Sequence, residues 1–192
     1  AGKTTLMNIL FGYYTCDAGE IFIKGEKVDL SAPKDAISRG VGMIHQHFAL
    51  VHSQTVLENI IVGTPSRRGL FLDLNSARRE LVELQERFGL HIDPDTRVWT
   101  LSVGEQQKVE ILKALYRDVD ILIMDEPTAV LAPAETTELF NTLQSLVKEG
   151  RSVVFISHKL NEVMDISDRV LVINFGKPIT IGTPAEVQKH PE

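Results

Sequence analysis

Ile121-Leu122-Ile123-Met124 is an unbroken apolar run that stops abruptly at Asp125-Glu126-Pro127. A run of this length without alternation suits a strand covered on both faces, which is the condition of strands in parallel sheets flanked by helices. Val41-Gly42-Met43-Ile44 leads in the same way to Gln46, and residues 153–156 lead to Ser157 and His158. Helical patterns fill the intervals: residues 74–88, with Leu81, Leu84 and Phe88 on one face, then 133–149 and 159–166. The alternation predicts an α/β fold with a mostly parallel sheet, whose ligand-binding residues gather at the carboxyl ends of the strands. Gln46, Asp125, Glu126 and His158 all fall at such ends.

The remaining elements are smaller. Ile21-Phe22-Ile23 and Lys27-Val28-Asp29-Leu30 flank Gly25-Glu26 as a hairpin, and residues 33–39 read as a short helix closed by Gly40. Strands are expected around 170–173 and 179–181, and the expected fold includes an antiparallel β portion. An all-helical insert of about 72–118 separates Gln46 from Asp125.

The start of the chain carries a second phosphate signal. Ala1-Gly2-Lys3-Thr4 matches the last four positions of a G-x-x-x-x-G-K-[ST] loop, and Thr5 leads into the apolar stretch Leu6-Met7-Asn8-Ile9-Leu10. In such a loop the backbone N–H groups surround the phosphates, the lysine reaches their oxygens and the hydroxyl binds Mg²⁺. The helix that follows aims its positive end at the anion. A Gly-Lys-Thr tripeptide also occurs in ordinary surface turns.

At 192 residues and 43% hydrophobic, the chain can bury a sizeable core, and one domain spanning 1–192 is expected. Its formal charge of −6, with no dense basic block, argues against a general nucleic-acid binder. Cys16 is the only cysteine, so neither an internal disulfide nor a cysteine metal cluster can form, as expected of a reducing cytosol. No apolar run approaches the roughly 20 residues that span a bilayer, and no basic-then-apolar leader is expected. Any service to a membrane is expected from its surface.

The strand-end residues supply what phosphoryl transfer to water requires: a positioned metal, an oriented nucleophile and compensation of charge. Asp125 is placed to hold Mg²⁺ directly or through water, and Glu126 to polarise the attacking water. His158 is placed to meet the γ-phosphate and orient that water. Adjacent acids also occur in solvated turns, and a lone histidine after a strand is often structural. His45 and His47 flank Gln46, but alternation sends both away from it, and they receive no catalytic role.

Leu101-Ser102-Val103-Gly104-Glu105-Gln106-Gln107-Lys108, followed after a helix by residues 121–127, resembles the signature motif and Walker B of ABC ATPases. Gly42-Met43-Ile44-His45-Gln46 is similar to that family's Q-loop, and Ile156-Ser157-His158 to its switch-histidine segment. The likeness covers essentially the whole chain, in family order. More narrowly, residues 101–113, 126–131 and 42–50 resemble the first ATPase half of tandem subunits from bacterial nucleoside or simple-sugar importers.

The resemblance implies a P-loop NTPase fold with ATP and Mg²⁺ as ligands. Glu126, His158 and Gln46 would be catalytic, and Thr4, Gln46 and Asp125 would hold the metal. Ala1, Gly2, Lys3, Thr4 and Thr5 would bind one ATP. Ser102, Val103, Gly104 and Glu105 would contact the ATP of a second ATP-binding domain, a tandem half or a homodimer partner, closing head to tail. Further implied partners are transmembrane permease subunits, with a solute-binding protein indirectly and no nucleic acid. The implied location is the cytoplasmic face of the bacterial inner membrane, peripherally bound, and the work implied is ATP-driven solute import.

Three departures qualify this expectation. The signature usually has Gly where Val103 stands and Gln where Glu105 stands, while Ser102 and Gly104 are kept. Ala132 occupies the place where many members put the D-loop aspartate, so a carboxylate route across the dimer is absent on this side and the two ATP sites are expected to differ. The chain is also expected to be N-terminally truncated, lacking the rest of the phosphate loop, its strand and the adenine-stacking aromatic. Tyr13 and Tyr14 lie beyond the phosphate-loop helix and cannot replace that aromatic. A nucleotide-dependent dimerisation or regulatory domain with weak hydrolysis is the alternative, with Ala132 in its favour and Glu126 and His158 against it. An ABC ATPase of DNA repair or translation is a third reading, opposed by the absence of long coiled-coil insertions and a basic linker.

Overall fold

The structure is a computed structural model that describes residues 2–46, 48–64 and 73–189. The chain begins with α1 (Lys3–Leu10), an antiparallel hairpin of β1 (Ile21–Ile23) and β2 (Glu26–Val28), and the short α2 (Pro33–Ser38). After β3 (Val41–Ile44) come three helices, α3 (Val56–Ile61), α4 (Leu74–Phe88) and α5 (Val103–Tyr116). There follow β4 (Ile121–Asp125), α6 (Pro133–Lys148), β5 (Ser152–Ile156) and α7 (Leu160–Ile166). A second hairpin, β6 (Val170–Asn174) and β7 (Lys177–Gly182), precedes α8 (Pro184–Gln188).

β4 lies between β3 and β5 and runs parallel to both, in a three-stranded sheet. Its unbroken apolar sequence is explained by two cores. Leu122 and Met124 join the core built with α3, α4, α5 and α6, where Ile60, Leu81, Leu112 and Leu146 are fully buried. Ile123 enters the opposite core, with Met7 and Phe11 from the α1 region, Ala36 of α2 and Ile156 of β5. Each buried aliphatic side chain contributes about 1.5–3 kcal/mol, so a polar residue on either face of β4 would be costly. β5 is less enclosed: Val153, Val154 and Phe155 are only half-buried. Among the described residues no strand pairs with its outer edge, and β6 pairs with β7 alone.

The α/β class, the parallel sheet, the antiparallel portion and the helical middle agree with expectation, and the differences are local. The first hairpin turns at Lys24-Gly25 rather than Gly25-Glu26. Both turn residues are left-handed (φ 53° and 80°), the pairing that matches strand twist in a two-residue turn, which leaves Glu26 in β2 opposite Ile23. α3 was absent from the sequence expectation, although Thr55-Val56-Leu57-Glu58 has capping-box spacing. Thr55 Oγ1 accepts from the Glu58 N–H, and Glu58 Oε2 accepts from the Thr55 N–H. α3 packs against both α4 and α5. The expected helical subdomain is therefore joined by a helix outside its 72–118 bounds, and residue 72 lies outside the described residues.

Candidate functional site

Parallel pairing of β4 with β5 sets Asp125 opposite Ile156. The residues just beyond each strand therefore meet at the same end of the sheet. The Glu126 N–H donates to the Ile156 carbonyl at 3.0 Å, extending the ladder by one bond. Pro127 disfavours a right-handed helical conformation at the residue before it, and Glu126 takes the left-handed region at φ 51°. Such a conformation costs on the order of 1–3 kcal/mol and persists where the surroundings over-determine it. Its result is that the Glu126 side chain turns towards the loop after β5, where His158 Nδ1 lies 2.7 Å from Glu126 Oε2. A carboxylate only accepts, so Nδ1 carries the proton and Nε2 is left facing away from Glu126. Nε2 then accepts from water in the neutral ring and donates to an anion in the charged one.

A hydrogen-bond network fixes these two loops to each other. Thr128 Oγ1 donates to Glu162 Oε2, which Ser157 Oγ also reaches at 3.4 Å. Lys159 Nζ bridges the Thr128 carbonyl and Glu162 Oε1, each at 3.0 Å. From the other side, Gln107 of α5 donates to the Pro127 carbonyl at 2.9 Å. Thr128, Lys159, Glu162 and Gln107 were not singled out from the sequence. Their available signal was position: Thr128, Lys159 and Glu162 lie within one to four residues of Glu126 or His158, and Gln107 lies within the stretch that resembles the signature motif.

Asp125 is buried, and among the described residues no hydrogen bond or ion pair reaches its carboxylate. Gln46 is exposed beyond β3 and makes no side-chain bond to the other strand-end residues. Thr4 is exposed in the first turn of α1. A carboxylate, a hydroxyl and an amide oxygen are donor types suited to a hard divalent cation. Among the described residues no three His, Cys, Asp or Glu side chains gather as a separate metal cluster, so phosphate oxygens would have to complete the coordination.

The two helix starts differ. Gly2 precedes α1 in a left-handed conformation (φ 90°), with no side-chain cap and no acidic residue in the first turn, so the leading N–H groups of Lys3, Thr4 and Thr5 are open to an anion. Ala1 lies outside the described residues. At α5, Ser102 is the N-cap: its Oγ accepts from the Glu105 N–H at 3.3 Å, and Glu105 Oε2 accepts from the Ser102 N–H at 2.8 Å. Val103 is exposed and Gly104 buried. A Cβ on Gly104 would collide with the Glu135 carboxylate, whose Oε2 accepts from the Ala132 N–H at 2.8 Å. Ser102, Gly104, Glu105 and Glu135 border a cleft of about 60 Å³ between α5 and α6. No hydrogen bond joins Ser102 or Glu105 to Lys3, Asp125, Glu126 or His158 among the described residues.

His45 contacts Tyr13 instead of Gln46, with its Nε2 at 3.3 Å from the Tyr13 hydroxyl and its ring edge-on to Phe11. His47 lies outside the described residues. Tyr13 and Tyr14 are about half exposed. No helix among the described residues is long and apolar enough to cross a membrane.

Comparison with known proteins gives the family and the fold. The family model of the ABC transporter matches residues 1–129, and that of the bacterial DnaA ATPase domain matches the shorter stretch 96–181. The nucleoside import ATP-binding protein NupA of Lactococcus lactis subsp. cremoris is 51% identical over 179 residues, covering 93% of this chain and 35% of that protein. The guanosine import ATP-binding protein NupO of Bacillus subtilis gives the same identity and coverage. The glucose import ATP-binding protein TsgD13 of Haloferax volcanii is 45% identical, covering 98% of this chain and 40% of that protein. The chain thus spans between a third and two fifths of the length of these relatives. Among solved structures, the ADP conformation of MJ1267, an ATP-binding cassette of an ABC transporter, superposes with a TM-score of 0.82 at 27% identity, covering 99% of this chain and 80% of that one. A nucleotide-free ATP-binding cassette from an ABC transporter gives 0.84 at 25% identity, covering 99% and 81%. The chain belongs to the ABC transporter family.

Proposed function

We propose that residues 1–192 form one ATP-binding domain that hydrolyses ATP to drive solute import through a separate membrane permease, with a nucleoside or simple sugar as cargo. The observation that carries the reading is the Glu126–His158 contact of 2.7 Å, formed at the carboxyl ends of adjacent parallel strands beside the unpaired Asp125. The names of the relatives support the cargo class, since they are import proteins for nucleosides, guanosine and glucose.

In this reading Lys3 and the open N–H groups of α1 hold the phosphates of one ATP. Thr4, Asp125 and Gln46 would hold Mg²⁺, which would supply compensation for the negative charge of the phosphates. Glu126 polarises the attacking water, and His158 meets the γ-phosphate with the ring nitrogen that Glu126 leaves free. Positioned acid–base groups of this kind account for roughly 10²–10⁴ in rate. Ser102, Val103, Gly104 and Glu105 face the ATP of a second ATP-binding domain, in the same chain or a second copy. The helical unit carries the permease contact, at the cytoplasmic face of the membrane and from its surface.

The alternative, a dimerisation or regulatory domain with weak hydrolysis, draws on Ala132, which offers no side-chain acceptor at the start of α6. Glu135 supplies a carboxylate three residues later that bonds the Ala132 N–H and lies against Gly104. MgATP turnover of the full-length protein, with and without its permease, separates the two readings. Turnover stimulated by the permease is expected. Tight ATP binding with negligible turnover in both conditions would favour the regulatory reading.

A further inference from the structure

The segment that leaves Gln46 crosses from the sheet to the helices, and three side chains hold it by its backbone. Glu110 Oε1 accepts from the Ala49 N–H at 2.8 Å, and Lys113 Nζ donates to the Ala49 carbonyl at 3.1 Å. Both side chains belong to α5, one turn apart, with Lys113 Nζ 4.0 Å from Glu110 Oε2. Two residues further on, the fully buried Asn59 of α3 repeats the arrangement at Val51. Its Oδ1 accepts from the Val51 N–H at 2.7 Å, and its Nδ2 donates to the Val51 carbonyl at 3.0 Å. Leu50, between the two gripped residues, is buried in the helical core.

Backbone groups without a strand partner need such bonds, and satisfying them is the simplest role these side chains have. The choice of residues goes further than that need. Glu110 and Lys113 are only 9% and 12% exposed, and burial pulls the Lys113 ammonium below the usual lysine range, against the opposing pull of Glu110. A largely buried charged pair is an expensive way to fill a core, and separating either charge from its partners leaves it uncompensated. The pair also sits on the helix that begins at Ser102, so one rigid rod presents the signature end and grips the chain three residues past Gln46.

We propose that Glu110, Lys113 and Asn59 are positioning residues that make residues 49–51 move as one body with α3 and α5, delivering any displacement of α5 to Gln46. None of the three touches nucleotide; they act through the Ala49 and Val51 backbone. The delivery rests on the roles given above to Gln46 and Ser102, whereas the clamp stands on its own hydrogen bonds.

Two readouts on the full-length protein with its permease test this. In the wild type, hydrogen exchange of the Ala49 and Val51 amides should be as slow as in the core of α5, not as fast as at His52 and Ser53. Glu110→Leu and Lys113→Met should raise exchange across residues 48–52 by about tenfold or more and leave β4 unchanged. The same variants should lower permease-stimulated kcat by about tenfold with KM for MgATP within about twofold. Glu110→Gln keeps an acceptor and Lys113→Arg a donor, so both should retain wild-type behaviour. Fast exchange at Ala49 in the wild type overturns the clamp and needs no variant to fold. Raised exchange with unchanged stimulated kcat overturns the delivery. A wild-type protein without ATP turnover removes the reading of Gln46, and the delivery with it, while exchange still decides the clamp.

Discussion

The starts of α1 and α5 both carry residues that point to phosphate, yet only α5 carries a side-chain cap and a carboxylate in its first turn. At α1 the leading N–H groups are uncapped and no acid stands in the first turn. Such an end favours an anion by about 0.3–1 kcal/mol when exposed and up to about 2 kcal/mol when partly enclosed. At α5 the Glu105 N–H and the N-cap N–H of Ser102 are already engaged, because Ser102 and Glu105 cap each other. A capping box contributes on the order of 1 kcal/mol to its helix. A phosphate approaching α5 therefore competes with a carboxylate of its own charge. The difference shows that a motif at a helix start identifies candidate ligands without saying whether the site is open. In the proposed reading, α1 binds its nucleotide without a partner domain, and α5 opens only when a partner domain delivers one.

The largest effect should appear at the sheet end proposed to act on the nucleotide of α1. Glu126→Gln keeps shape and hydrogen-bonding capacity but removes the carboxylate, and should slow hydrolysis by roughly 10²–10⁴ while ATP binding persists. Single-turnover kinetics with filter-bound nucleotide would show this, and near-normal turnover would sink the role given to Glu126. Lys3→Ala tests the open helix end itself. Loss of one charge-assisted contact should weaken ATP binding by about ten- to a hundredfold, measured by calorimetry. Unchanged affinity would mean that the α1 end is not the phosphate site.

Glu162→Ala should leave ATP affinity intact and reduce kcat by about tenfold, because Thr128, Ser157 and Lys159 lose their shared partner and the two loops drift apart. Glu162→Gln, which keeps acceptors and loses charge, should lie between. An equal fall in affinity would assign Glu162 to general stability instead. The smallest effect belongs to α5. Glu105→Gln preserves the cap geometry and removes the competing charge, so ATP-driven association of the domains should strengthen by about two- to fivefold. Weaker association would show that the Glu105 carboxylate assists the second phosphate and does not exclude it.

Much of the site was legible because strand ends mark it. The apolar run before Asp125 identified β4, and the run before His158 identified β5, each within a residue of its observed end. The Glu126–His158 contact was not legible, since it depends on the parallel register that sets Asp125 opposite Ile156 and on the left-handed turn at Glu126. Glu105 read as a departure from the signature, while its engagement with Ser102 needed the helix start to be built. Thr55 and Glu58 did announce α3, but a helix of only six residues has too short an apolar pattern to stand out. Glu110 and Lys113 have the spacing of an ordinary exposed helical ion pair, and only the fold buries them against Ala49.

The difference between the two helix starts is tested most directly by Ser102→Arg in the full-length protein, with photoaffinity labelling of the nucleotide beside Lys3. If α5 serves the opposing domain, labelling at the Lys3 site by ATP should stay within about twofold of wild type, while ATP-driven closure of the two domains is lost. Loss of the Lys3-site nucleotide on changing Ser102 alone would place both helix starts at one ATP and contradict the account.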